Sequence, residues 1–181
     1  MHQDCERILC SEAELARTVE MLAARINRDY ADKTVLVVGI LKGAILFYAD
    51  LVRRLTVDAR FDFMAVSSYG ASTHSTGAVR ILKDLDHSIE GMHVLIVEDI
   101  VDSGLTMNYL LRNLRERKPA SVEVCALMDK PSRRNAEVFV KYAGMEIPNA
   151  IVVGYGLDYA ERYRNLPYIG VLKESVYQGK T

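Results

Sequence analysis

An apolar run passes into an acidic, glycine-containing turn in the segment Val94-Leu95-Ile96-Val97-Glu98-Asp99-Ile100-Val101-Asp102-Ser103-Gly104-Leu105-Thr106. Continuous Val, Leu and Ile residues are typical of a parallel strand covered on both faces, so Val94 to Glu98 predicts a buried strand. A helix is predicted after the turn, from about Leu105 to Arg117. Strand, turn and helix in this order form the unit from which parallel α/β sheets are built.

The same unit recurs along the chain. Thr34 to Ile40 predicts an earlier buried strand, and about Ala44 to Leu55 predicts the helix after it. Further apolar runs predict strands at Val122 to Met128, Ile151 to Val153 and Ile169 to Leu172. This alternation predicts an α/β fold, namely a single doubly wound domain over residues 1–181 with a mainly parallel central sheet and helices on both faces.

Three other segments complete the predicted architecture. Ser11 and Glu14 have capping-box spacing, and they precede apolar residues at helical spacing, namely Leu15, Val19, Leu22 and Ile26. Alternating apolar residues predict an extended strand that buries Val57, Ala59, Phe61, Phe63 and Ala65. Ser67 to Gly77 contains few apolar residues and predicts a long mobile loop.

Composition excludes several classes of protein. The 181 residues carry 23 Lys and Arg against 24 Asp and Glu, a formal net charge of −1, so no overall basic field would hold nucleic acid. The three cysteines lack the spacing of a disulfide framework or a zinc site. The charged N-terminus and the absence of a long apolar run lead us to expect a cytoplasmic protein with no membrane segment.

The turn after the predicted strand is suited to a sugar phosphate. Backbone N–H groups at a helix N-terminus bind phosphate, and Gly104 places no side chain in the way. Glu98 and Asp99 would repel that phosphate, so they are expected to face sugar hydroxyls or magnesium beside it. Helix capping by Asp102 or Ser103 is the structural alternative, but capping explains one acid and not three.

This segment closely resembles the loop of type I phosphoribosyltransferases that binds 5-phosphoribosyl-1-pyrophosphate (PRPP). The resemblance implies that Glu98 and Asp99 hold the ribose hydroxyls. It also implies that the 5-phosphate is bound by Ser103, Gly104, Leu105 and Thr106. Asp102 is similar to the acid of the hypoxanthine-guanine branch that lies near purine N7, which implies a general base within the PRPP loop.

Other segments extend the resemblance over nearly the whole chain. Leu41-Lys42-Gly43 resembles the family's pyrophosphate-binding loop, and Arg164 matches its pyrophosphate-binding arginine, although each is also compatible with ordinary surface charge. Ser68 and Tyr69 resemble the start of the mobile loop that closes over the reaction centre.

A second set of matches concerns the purine. Lys130 matches the lysine that contacts the exocyclic oxygen of the base. The segment from Ile147 to Tyr159 resembles a small hood over the purine site, in which Ile151 packs on the base, Val152 offers backbone groups and Asp158 helps to bind magnesium at the purine's side. The family often has an aromatic residue at the Ile151 position, so stacking here would be aliphatic.

The resemblance implies transfer of the 5-phosphoribosyl group of PRPP to N9 of hypoxanthine or guanine. It implies Mg²⁺ as cofactor, with Glu98, Asp99 and Asp158 as metal ligands, and a homodimer or homotetramer. A xanthine-guanine enzyme and a PRPP-sensing regulator that binds nucleic acid are the alternatives, while the hood and Asp102 disfavour adenine and orotate enzymes. No G-x-G-x-x-G follows a predicted strand, which argues against a nicotinamide oxidoreductase.

Overall fold

Helices and strands alternate along the chain in the computed structural model, which describes residues 1–68 and 79–178. The elements in chain order are β1 (Cys5–Cys10), α1 (Glu12–Asp29), β2 (Val35–Leu41), α2 (Ile45–Val52), β3 (Ala59–Ser68), β4 (Val79–Lys83), β5 (His93–Val101), α3 (Leu105–Arg115), β6 (Ser121–Asp129), β7 (Tyr142–Glu146), β8 (Val152–Val153), β9 (Ile169–Leu172) and α4 (Glu174–Tyr177). A single 3₁₀ turn, Pro131–Arg133, follows β6.

The central sheet has the order β4-β3-β2-β5-β6-β7 in the described residues. Every neighbouring pair is parallel except the edge pair of β3 and β4. Strand order reverses between β2 and β5, and in open α/β sheets ligands bind beyond the carboxyl ends of the strands at such a switch point. The predicted fold class, a mainly parallel α/β sheet, is therefore confirmed.

Helices cover both faces of this sheet, as predicted. α1 and α2 contribute to one apolar cluster against β2, β5 and β6, while α3 contributes to a second cluster on the opposite face. The predicted capping box starts α1, since the Ser11 hydroxyl accepts from the Glu14 N–H at 3.3 Å and a Glu14 oxygen accepts from the Ser11 N–H at 2.8 Å. The four apolar residues predicted for this helix are all buried.

The predicted buried face of β3 is wrong in part. Phe61 is 56% exposed, whereas Asp62 and Met64, which point the opposite way, are buried. β3 lies next to the edge of the sheet, and both of its faces contact apolar clusters, with Phe63 on one side and Val66 on the other. Asp62 tolerates burial because its carboxylate accepts three hydrogen bonds, which an alternation pattern does not reveal.

The hood also differs from the sequence prediction. β8 and β9 do not extend the parallel sheet, because they pair antiparallel with each other and β9 pairs antiparallel with β1. Sequence patterns did not predict β1, β4 and β7. They placed the end of α2 at about Leu55, whereas the helix ends at Val52. Both ends of the chain therefore build the small sheet that carries the hood.

No described helix is long and apolar enough to cross a membrane.

Asp62→Asn is expected to lower the free energy of unfolding by about 1–3 kcal/mol at neutral pH, because a buried carboxylate with several donors is lost. Burial raises the pKa of Asp62, but the N–H groups of Asp86 and Phe63 and the Lys83 ammonium outweigh it and hold the pKa below its usual value. The stabilisation is therefore complete above the unfolded pKa, about 4, and is lost as pH falls through the folded pKa. Urea unfolding at several pH values checks this, and a difference that grows on acidification would contradict it.

Candidate active site

Three segments from distant parts of the sequence touch at the switch point. The loop after β2 contains Gly43, and a Cβ atom placed there would overlap the carboxylate of Asp99 in β5. A Cβ atom on Gly156, after β8, would overlap the carbonyl oxygen of Gly43. The Leu41–Lys42 peptide bond in this loop is cis. Because neither glycine has a side chain, the loop after β2 packs directly against the Asp99 carboxylate, and the segment after β8 packs directly against the backbone of Gly43.

Glu98 and Asp99 lie inside β5, which continues to Val101, and not at its end as the sequence suggested. An Asp99 oxygen accepts from the Ile100 N–H at 2.7 Å, and a Glu98 oxygen accepts from the Asp99 N–H at 3.1 Å. Burial and then the neighbouring charge of Asp99 raise the pKa of Glu98 well above its ordinary value, and burial also raises the pKa of Asp99. Two adjacent negative charges are thus costly until hydroxyl donors or a cation offset them.

The turn between β5 and α3 forms a small cavity of about 190 Å³, lined by residues between Glu98 and Met107. Gly104 is the N-cap of α3 and has a φ of 80°. A Cβ on Gly104 would lie 2.8 Å from Arg134 and 2.9 Å from the carbonyl oxygen of Ala136. The first N–H groups of a helix have no acceptor within the helix, although the Leu105 N–H donates to the Ser103 hydroxyl at 3.4 Å. Phosphate binding by Ser103, Gly104, Leu105 and Thr106 therefore stays a prediction that this turn is compatible with.

A larger cavity of about 540 Å³ opens beside that turn. Its lining contains four residues predicted to contact the purine or its proton, namely Asp102, Lys130, Ile151 and Val152. The other lining residues are Ile100, Arg133, Asn149, Ala150, Leu157 and Tyr177. Asp158 is not among them, so the structure separates Asp158 from the other residues predicted for the base.

Lys130 and Asp102 are in contact at the polar side of this cavity. Lys130 is 6% exposed, and its Nζ donates to the carbonyl oxygen of Ala150 at 3.0 Å and to an Asp102 oxygen at 3.4 Å. Arg133 Nε donates to the second Asp102 oxygen at 2.8 Å, and a further Arg133 nitrogen donates to Asn149 at 3.2 Å. Sequence reasoning missed Arg133, although the basic run Lys130-Pro131-Ser132-Arg133-Arg134 directly after β6 was a usable signal.

The two cations predicted for pyrophosphate are joined by a residue that sequence reasoning missed. Glu161 accepts from Lys42 Nζ at 3.0 Å and lies 3.4 Å from an Arg164 nitrogen. Arg164 also contacts Asp158 at 2.9 Å and donates to the carbonyl oxygen of Gly156 at 2.8 Å. Hydrogen bonding by Lys42 and the charges of Lys42 and Arg164 lower the pKa of Glu161. Glu161 and Arg164 lie in a non-helical segment, so their i, i+3 spacing gave no sequence signal for this contact.

The predicted metal ligands do not form one cluster. Within residues 1–68 and 79–178, no group of three or more His, Cys, Asp or Glu residues is placed to hold a metal ion. Asp158 has both oxygens engaged, one by Arg164 and the other by the Glu161 N–H at 2.8 Å. Glu98 and Asp99 provide adjacent carboxylates, which suits a cation that also binds its substrate.

The predicted mobile loop is only partly within the described chain. Ser68 is the last residue of β3, and Tyr69 lies outside the described residues.

Comparisons with known proteins give one family. Residues 9–160 match the model of the phosphoribosyl transferase domain. The hypoxanthine-guanine phosphoribosyltransferase of Bacillus subtilis is 53% identical over 178 residues, covering 98% of this chain and 99% of that protein. The protein of that name from Staphylococcus epidermidis is 50% identical over 177 residues, with the same coverage. The crystal structure of a Staphylococcus aureus hypoxanthine phosphoribosyltransferase has a TM-score of 0.94 and 48% identity, covering 98% of this chain and 96% of that one.

Gly156→Ala is expected to destabilise the protein more than Gly91→Ala. Both glycines have positive φ, 102° and 72°, so both substitutions carry a backbone cost of roughly 1–2 kcal/mol. A Cβ on Gly91 meets nothing within 4 Å, whereas a Cβ on Gly156 overlaps Gly43 and adds about 1–3 kcal/mol. Denaturant unfolding measures the difference, and equal losses would show that the contact with Gly43 is not tight.

Proposed function

The chain belongs to the phosphoribosyl transferase family and is an enzyme of purine salvage, and we propose which of its residues carry out each part of the reaction. It transfers the 5-phosphoribosyl group of PRPP to N9 of hypoxanthine or guanine and releases pyrophosphate. One observation supports the assignment above all: the turn before α3, the half-buried pair of Glu98 and Asp99, and a larger cavity lined by Asp102 and Lys130 adjoin at one edge of the sheet. The xanthine-guanine and regulator alternatives are not favoured by these relatives.

The 5-phosphate end of PRPP binds at the turn before α3. The N–H groups of Ser103 to Thr106 and the hydroxyls of Ser103 and Thr106 donate to the 5-phosphate. Glu98 and Asp99 accept from the ribose hydroxyls, which offsets the cost of burying two carboxylates side by side.

The base is recognised at the larger cavity. Lys130 Nζ, already buried and aimed at carbonyl and carboxylate oxygens, donates to the oxygen at position six of the purine. Val152 offers its backbone to the edge of the ring, and Ile151 packs on the ring. Asp102 lies next to Lys130 and accepts the proton that leaves the base, or stabilises the charge as that proton leaves.

Pyrophosphate is released between the loop after β2 and the segment after β8. Lys42, Arg164 and the N–H groups near Gly43 stabilise its negative charge. Because Glu161 pairs with both cations when no pyrophosphate is present, the incoming pyrophosphate replaces a carboxylate as their anionic partner. Glu98 and Asp99 would hold magnesium, which would offset the leaving-group charge when it is bound with PRPP. The metal-binding role proposed for Asp158 would require its carboxylate to leave Arg164 or the Glu161 N–H. The closing loop at Ser68 and Tyr69, the homodimer or homotetramer and the cytoplasmic location stay predictions.

Asp102→Asn is expected to lower turnover by roughly 10² or more, because the amide keeps the size but cannot accept the proton. The KM for PRPP should stay near its wild-type value, since the N–H groups of the phosphate turn are unchanged. Steady-state kinetics with hypoxanthine measures both constants. Asp86→Asn is the matched control, because it also removes an exposed carboxylate paired with a lysine but lies outside the site. Unchanged turnover in Asp102→Asn would remove Asp102 from the catalytic role.

The function itself is tested by assaying PRPP consumption with hypoxanthine, guanine, xanthine and adenine in turn. Lys130 has donors only, so it suits a carbonyl oxygen and opposes the amino group of adenine, and we expect adenine to be rejected by about 10⁴ or more. Lys130→Ala should cost hypoxanthine roughly 1.5–3 kcal/mol of transition-state binding and leave adenine almost unchanged. Lys141→Ala, which removes a lysine paired with Glu123 outside the site, is the control. Efficient use of adenine by the wild type would refute this assignment.

A further inference from the structure

Tyr177 is an aromatic residue in the wall of the purine cavity that none of the assignments above uses. It lies in α4, beyond residues 9–160 that match the family model. We propose that Tyr177 is a base-binding residue, whose ring packs on the purine next to Ile151 and supplies the aromatic surface that the isoleucine lacks. This inference rests on the proposed function, because it names a contact for the same substrate.

The backbone around α4 fixes Tyr177 close to Ile151. The Leu172 N–H, at the end of β9, donates to the Ile151 carbonyl oxygen at 2.9 Å. The next N–H, of Lys173, donates to the Asp4 carbonyl oxygen at 2.9 Å, which ties the start of α4 to the N-terminal segment. The chain then makes one helical turn to Tyr177. The same hydrogen bonds that build the hood therefore position this side chain.

Apolar packing holds the Tyr177 side chain in place. Tyr177 is half-buried and packs against the hood cluster of Cys5, Val153, Tyr163 and Leu172. Its ring centroid lies 6.4 Å from that of Tyr159, at an angle of 60°. A side chain that packs against a cluster and also lines a cavity is preorganised to contact a ligand there, because little side-chain entropy remains to be lost.

The other described residues that line the cavity offer the base no aromatic surface. Its polar lining comprises Asp102, Lys130, Arg133 and Asn149, which suit the edge of a purine. The other side chains of the described lining are aliphatic apart from Tyr177, including Ile100, Ile151 and Leu157. A purine has two broad π-faces, and stacking on an aromatic side chain contributes more than contact with an aliphatic one of similar area. Tyr177 therefore compensates for the aliphatic residue at position 151.

Steady-state kinetics of Tyr177→Ala, Tyr177→Phe and the wild type tests the proposal. Tyr177→Ala is expected to raise the KM for hypoxanthine roughly ten-fold, the size of one lost base–aromatic stack, with the KM for PRPP and kcat changed less than about two-fold. Tyr177→Phe keeps the ring and should behave as the wild type. In an Ile151→Phe background, which restores an aromatic surface, Tyr177→Ala should cost much less.

Tyr168→Ala is the matched control, because Tyr168 packs on the same hood cluster but does not line the cavity. It should lower thermal stability without a selective rise in the KM for hypoxanthine. An unchanged KM in Tyr177→Ala, or an equal selective rise in Tyr168→Ala, would overturn the proposal while the function stands. Wild-type protein that fails to turn over any purine with PRPP would instead overturn the proposed function.

Discussion

Close packing of Gly43 against Asp99 and Gly156 is the constraint on which the active site depends. The fold brings the carboxyl ends of β2 and β5 together at the switch point, but side chains at these positions would hold the loop after β2 away from the acid pair. Two glycines remove that obstacle, so the loop proposed to bind pyrophosphate, the strand proposed to bind ribose and the segment that carries Asp158 to Arg164 lie in direct contact. The cost is a pair of adjacent, half-buried carboxyl groups, and their partial desolvation raises the pKa of both.

Charge pairing explains how such a site remains stable without its substrates. Each cation assigned to ligand binding already has a protein partner: Lys42 and Arg164 contact Glu161, and Lys130 contacts Asp102. At Lys42 and Arg164, PRPP binding therefore exchanges one anionic partner for another. At the buried Lys130, Asp102 keeps the charge paired before the purine binds. A chain with a net charge of −1 can thus bind a highly charged ligand through local pairs rather than through an overall positive field.

Local sequence signals predicted much of this structure, and long-range contacts account for the rest. The run from Val94 to Thr106 predicted β5, the turn and α3 because strand, phosphate turn and helix cap are all encoded by neighbouring residues. Glu161 and Tyr177 were missed because the Lys42 partner of Glu161 and the other lining residues around Tyr177 lie far away in sequence. Arg133 was missed although a local basic run pointed to it, because its contact with Asp102 spans two loops. The hood was misassigned for a related reason: β1 joins β9 only because the two ends of the chain meet, and no periodicity in Ile169 to Leu172 distinguishes an antiparallel hood strand from a parallel core strand.

Hydrogen exchange of the enzyme with and without PRPP and magnesium tests the central claim most directly, because the claim is that three separate segments bind one ligand. Slower exchange is expected together in the loop after β2 around Lys42 and Gly43, in the turn from Asp102 to Thr106, and in the segment from Gly156 to Arg164. Protection confined to the turn before α3, with the other two segments unchanged at saturating PRPP, would show that the ligand does not bridge them and would contradict the account.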